Sequence, residues 1–152
     1  MIQVNRQDKL GRTPLMDAAE VGSLEVIKVL IEHKADINMT DNNHHSAAAY
    51  CLDFVSQEDH KFYNAAMCLV QKGADPNSYG KCTHTTLLHH VAARGDLEYV
   101  KRLVEDDNVH PAPLDVQRKT PLDYAAENKM TEVVDYLEKA NPKSERCDCV
   151  LM

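Results

Sequence analysis

Eight histidines and five cysteines are the residues best suited to chemistry in this chain of 152. His44 and His45 are adjacent, and Cys82 and His84 form a second short cluster. Brought together from two loops, such groups would suit zinc, which takes imidazole and thiolate ligands in a tetrahedron. The spacing argues against a metal site, because neither Cys-x-x-Cys nor His-Glu-x-x-His occurs. Nucleophilic catalysis needs a cysteine or serine beside an oriented base in a cleft. There is no Gly-x-Ser-x-Gly and no glycine loop that would cradle a phosphate. The stretch from Asp53 to His60 is the one elaboration that could build a cleft. The reading is therefore no enzyme, no metal and no cofactor, with an enzyme or metal protein kept as the third hypothesis.

The last residues offer a different chemistry. Cys149-Val150-Leu151-Met152 has the form of a C-terminal prenylation (CaaX) box, and a terminal methionine favours a farnesyl group. The product would be a thioether on the Cys149 sulfur, followed by cleavage after that residue. One lipid gives only marginal anchoring, so a second signal is expected, and Cys147 could carry a palmitoyl group. Lys139, Lys143 and Arg146 add positive charge that Glu138 and Glu145 offset. The alternatives are an unmodified tail and a Cys-x-Cys chelate, which lacks a further ligand pair nearby.

Composition narrows the classes. A net charge of −7 opposes non-specific binding to nucleic acid, where lysine and arginine must neutralise phosphate. No apolar run reaches the length of a membrane span, and residues 1–8 lack the apolar core of a secretory signal. Five cysteines without regular spacing do not make a disulfide framework, so a cytoplasmic setting is expected. With no Trp and only two Phe, the core must be built from Leu, Val, Ile, Ala and Met.

The elements that would position these residues are repeats. Thr13-Pro14-Leu15-Met16-Asp17-Ala18-Ala19 returns as Thr120-Pro121-Leu122-Asp123-Tyr124-Ala125-Ala126. A third copy begins at Thr86 and a degenerate fourth at Ser46. Thr or Ser supplies an oxygen for the orphan amides of a helix start. Proline then fits the first turn, where its missing amide is no loss. Paired alanines keep the helix thin, so that its neighbours can approach. Gly22 and Gly95 break the chain before a second helix, whose apolar face is Leu24, Ile27, Leu30 and Ile31, repeated as Leu97, Val100, Leu103 and Val104. Ala35-Asp36-Ile37-Asn38 and Ala74-Asp75-Pro76-Asn77 read as turns.

These motifs resemble the ankyrin repeat, from about Asp8 to Ala140, and the starts are spaced near its period of about 33 residues. The resemblance implies an all-α solenoid of about four helix-turn-helix repeats joined by β-hairpin-like loops. The repeats run about 8–40, 41–79, 80–113 and 114–140, and 141–152 is a polar linker and CaaX-like tail. Residues 1–7 look like the tail of a preceding hairpin, since Asn5 precedes Thr13 as Asn38 precedes Ser46. The chain either starts natively on a bare hairpin or was cut from a longer array. Repeat two has about six extra residues, which either lengthen its first helix or bulge between its helices. Repeat three lacks the terminal turn motif, so its link to repeat four is expected to be irregular. In repeat four Lys129 stands where Gly22 and Gly95 stand.

The resemblance also implies a protein partner, held by a concave surface of hairpin tips and first helices. By position the helices offer Asp17, Glu20 and Val21, then Tyr50, Asp53 and Phe54, then His90 and Arg94, then Tyr124, Glu127 and Asn128. The tips offer Lys9 and Arg12, Asn43 and His44, Lys81 and His84, Gln117 and Arg118. Asp17, Tyr50, Phe54, His90, Arg94, Tyr124 and Glu127 are the expected contacts, because Tyr, Phe and Arg anchor interfaces most often. His89 falls at the family position that braces neighbouring repeats. Three functions follow: a membrane-tethered monomeric adaptor, a soluble inhibitor of a kinase or other signalling protein, and the enzyme or metal protein above. Repeats of this kind joined to a prenylation box resemble effectors that intracellular bacteria deliver into host cells, where a host membrane would receive them.

Overall fold

A computed structural model describes residues 3–56, 59–107 and 109–140. The chain divides into two compact units, Met1–Leu87 and Leu88–Met152. Among the described residues the secondary structure is helical. Extended pairing is limited to isolated antiparallel bridges at Thr40–Ser46 and Tyr79–Thr86, each at the base of a hairpin.

The first unit holds α1 (Pro14–Val21), α2 (Leu24–Glu32), α3 (Ala47–Leu52) and α4 (Lys61–Gln71). The Thr13 hydroxyl accepts the Met16 amide, and Pro14 occupies the first turn. Gly22 adopts φ 71°, in the left-handed region that glycine enters without steric penalty, and it ends α1. Ser23 then caps α2. Ala18, Ala19 and all of Ala47–Leu52 are buried, so α1 and α3 pack at close range. Ile27 of α2 and Ala65, Ala66 and Leu69 of α4 complete this core.

Asn side chains tie the turns together. The Asn38 Oδ1 accepts the Asp75 amide at 3.1 Å, and the Asn5 Oδ1 accepts the Asp36 amide at 2.7 Å. Asn5 thus does for the first turn what Asn38 does for the second. The first helix of repeat two is not lengthened by its extra residues, since α3 is only six residues long and α4 begins at Lys61.

The second unit holds most of α5 (Leu87–Arg94), then α6 (Leu97–Lys101), α7 (Pro121–Glu127) and α8 (Thr131–Ala140). Asp96 caps α6, which continues as a π-helical turn over Arg102–Asp106. The connection to α7 is irregular and is pinned by a bond from the Val109 amide to the Leu103 carbonyl at 2.9 Å. At the turn between α7 and α8 Lys129 takes φ 59°, the left-handed conformation that glycine takes at the equivalent turns. Val91, Val100, Leu103, Ala125, Val133 and Leu137 form the core.

Candidate functional site

The hairpins are built around aspartates. Asp8, Asp41 and Asp115 each use Oδ1 to accept two amides of their own tip, at 2.8–2.9 Å. Each also pairs its own amide with a carbonyl across the hairpin at 3.0 Å. The third hairpin has Gly80 where the others have aspartate. There Asp53, from the loop after α3, reaches in. Its Oδ1 accepts the Cys82 amide at 2.9 Å and the Thr83 amide at 3.1 Å. A β-carbon on Gly80 would lie 2.5 Å from that oxygen, so glycine makes the room. Asp53 was expected to face a partner; the structure commits its carboxylate to the next hairpin instead. The sequence signal was the missing aspartate at position 80.

The two tyrosines expected to anchor a partner brace hairpins too. The Tyr50 hydroxyl donates to Asp41 Oδ2 at 2.6 Å, and Tyr124 donates to Asp115 Oδ2 at 2.7 Å, each across nine residues. Tyr50 is 3% exposed, with Arg12 and Lys81 each 4.9 Å from its ring centroid. That is a correction to the sequence reading: a ring buried under two cations presents no face to a partner. Tyr124 is half-buried, with the rings of His89 and His90 against it. Burial pushes the Tyr50 phenol up to about 12, and its bond to Asp41 adds to that. Burial works to raise the Asp41 and Asp115 carboxyls, but hydrogen bonds from tyrosine and backbone amides outweigh it and hold both below the ordinary 3.8.

Asp17 and Glu127 are exposed but paired. Arg12 bridges Asp17 at 2.7 Å and also Glu20, and Lys119 bridges Glu127 at 2.6 Å. Arg12 and Lys119 each precede the capping threonine, so the same cross-brace recurs in both units. His90 and Arg94 are half-buried, and Phe54 is 49% exposed. His89 is fully buried; its Nε2 lies 3.0 Å from the Lys119 carbonyl, which can only accept, so that nitrogen carries the proton. Burial lowers its pKa and favours the neutral ring.

One feature of the tips was not anticipated. Gly11 has φ 79°, and the equivalent residues His44, His84 and Arg118 have φ 66°, 57° and 62°. Left-handed backbone is unfavourable for residues with a β-carbon. All three side chains are exposed. The signal lay in aligning Gly11 with them.

Among the described residues no cluster of three or more His, Cys, Asp or Glu could hold a metal. Cys51 is buried, and burial pushes its thiol up to about 12, which makes it a poor nucleophile. Cys147 and Cys149 lie outside the described residues. No described helix is long and apolar enough to cross a membrane.

Comparison with known proteins agrees with this architecture. Residues 52–146 match a family model described as ankyrin repeats in three copies, and residues 2–51 match one described as ankyrin repeats in many copies. The chain is 26% identical over 103 residues to a platypus (Ornithorhynchus anatinus) protein, "Ankyrin repeat, SAM and basic leucine zipper domain-containing protein 1", covering 68% of this chain and 21% of that one. It is 32% identical over 97 residues to "I-Kappa-B like protein C2" of Microplitis demolitor bracovirus, covering 64% and 52%. Human "Ankyrin repeat domain-containing protein 37" is 33% identical over 66 residues, covering 43% and 42%. The chain thus spans between about a fifth and a half of the length of these relatives.

Proposed function

The chain belongs to the ankyrin-repeat family, and from that premise we propose that it is a non-enzymatic monomeric adaptor that holds a protein partner on its hairpin tips and first-helix faces. The observation that carries this is the left-handed backbone at His44, His84 and Arg118. Glycine fits that conformation without strain, as Gly11 does, yet three exposed functional side chains stand there. Backbone strain retained at a surface position points to use of the side chain. His90, Arg94 and Tyr124 supply surface on the helices and Phe54 on the loop after α3, while Asp17 and Glu127 add charge. The repeat limits given from the sequence, about 8–40, 41–79, 80–113 and 114–140, belong to the same reading.

The test is a His44→Gly/His84→Gly/Arg118→Gly variant used in affinity capture from cells with mass spectrometry. We expect it to melt at a higher temperature than the natural chain and to lose partners that the natural chain retains. A more stable variant that captures the same partners equally well overturns the reading.

The tail carries the second part of the proposal. Farnesylation of Cys149, with Cys147 available for a palmitoyl group, would hold the repeats beside a cytoplasmic membrane surface. The support is the residue order Cys149-Val150-Leu151-Met152. A Cys149→Ser variant is expected to lose the membrane fraction in a prenylating cell; equal fractions for both forms overturn it. The alternative is a soluble regulator of a signalling protein, a reading favoured by the name of the I-Kappa-B like relative. The intact mass of the C-terminus distinguishes the two.

A further inference from the structure

Resting on the adaptor reading, we propose that the strip of α2 formed by Val26, Val29 and Leu30 receives an amphipathic helix of a partner protein, seated where a preceding repeat would place its second helix. Val26 and Val29 are 48% and 52% exposed, and Leu30 is half-buried. Residues spaced i, i+3 and i+4 share one face of a helix, so the three form a continuous apolar strip. Ile27 alone of α2 is buried.

The equivalent positions are closed in every other repeat. The Ala35 amide donates to the Leu30 carbonyl and the Ala74 amide to the Leu69 carbonyl, both at 2.9 Å, which aligns Val26 and Leu30 with Ala65 and Leu69 of α4. Counted from the left-handed residues Gly22, Gly95 and Lys129, the same positions are Tyr99 and Leu103, then Val133 and Leu137. All six are buried. Their cover comes from the preceding repeat. Among the described residues α8 packs on its own first helix, α7, and on the preceding second helix, α6, and Val133 and Leu137 are buried. By contrast α2 packs on its own first helix, α1, and on the following second helix, α4, and its strip is open. The difference is the preceding helix, and no described helix precedes α1.

The fold itself shows what such a helix looks like. The preceding helix for α4 is α2, whose Leu24, Ile27 and Ile31 fall at i, i+3 and i+7. A helix with aliphatic side chains at that spacing continues an interface the repeats already use, and helices held in grooves present their anchors in this way. The turn after α2 is set for it: Asn5 bonds the Asp36 amide there, as Asn38 bonds the Asp75 amide on the turn after α4. Solenoid ends that face water carry polar residues. Helix α8 does so, with Thr131, Glu132, Asp135, Glu138 and Lys139 exposed, whereas α2 exposes two valines. The exposed side of α8 is therefore no match for the strip, and a second copy stacked head to tail would not cover it.

A display library on a fixed alanine- and lysine-based helix, randomised at i, i+3 and i+7, tests this against the natural chain, with Val26→Lys/Val29→Lys as the counter-target. Both valines are exposed, and lysine is a better helix former than valine, so the variant should fold. Enriched peptides are expected to carry Leu, Ile or Val at the three positions. They should bind the variant at least about tenfold more weakly and shift the amides of Val26, Val29 and Leu30. Val29→Ile, which keeps the strip apolar, should retain the binding. Polar residues at the randomised positions, equal binding to both chains, or no enrichment overturn the proposal. So does self-association of the natural chain in sedimentation that Val26→Lys/Val29→Lys abolishes, which would assign the strip to a second copy. If Val26→Lys/Val29→Lys captures the cellular partner unchanged, this site falls and the adaptor reading stands. If the natural chain captures no partner, both fall.

Discussion

Asp53 shows how one carboxylate can stand in for another. The first, second and fourth hairpins carry their own aspartate, whereas the third borrows one from a loop that precedes it by about thirty residues. The arrangement needs both the acid at 53 and the lack of a side chain at 80. Asp53→Ala leaves the Cys82 and Thr83 amides without their acceptor, and a charge-assisted bond of this kind contributes about 1.5–3 kcal/mol. Gly80→Ala drives a β-carbon onto the same oxygen. Urea titrations should show both single variants destabilised. In an Asp53→Ala background the second substitution should cost less, since residues in contact are not additive. Equal penalties in the two backgrounds would show that the carboxylate is not what Gly80 accommodates.

At the scale of the element, two helices that look alike in sequence start differently. Thr120 caps α7 fully: its hydroxyl accepts the Asp123 amide at 3.3 Å, and Asp123 returns a bond from the Thr120 amide at 2.8 Å. Ser46 stands at the start of α3 without a side-chain cap bond. The helix after Ser46 is held by burial, since all six of its residues are in the core. Thr120→Ala should therefore lower stability by about 1 kcal/mol, and Ser46→Ala by clearly less. Chemical denaturation of the two variants measures the difference, and a Ser46→Ala loss as large as that of Thr120→Ala would contradict it.

At the scale of the molecule, both units carry the same acid-sensitive bond. Asp41 in one and Asp115 in the other have folded pKa values below 3.8, with a tyrosine hydroxyl on each. A depressed carboxyl stabilises the fold fully above its unfolded pKa, and that stability is lost as pH falls through the folded value. Stability measured by thermal melting should thus be steady near neutrality and fall below about pH 4. Tyr50→Phe/Tyr124→Phe should lower the plateau and flatten the acid limb, because both carboxyls lose a donor. An unchanged slope in that variant would mean that other carboxyls govern acid unfolding.

The fold was legible in the sequence because its determinants are local. Caps, first-turn prolines, alanine pairs and turn aspartates act within a few residues, and they recur in register. The equivalence of Asn5 to Asn38 could be read from spacing alone, and the structure gives both the same hydrogen bond. The site was less legible, because exposure is decided by what packs from elsewhere. Tyr50 and Tyr124 share a sequence position, but Arg12 and Lys81 cover the first ring, while the second keeps part of its surface open. Asp53 looked like surface until the room at Gly80 was seen. By itself, the sequence determined the repeat and its helices, because those determinants are local. The tertiary structure alone decided which side chains are spent on bracing and which, like Phe54, remain open, since that depends on contacts between residues far apart in the chain.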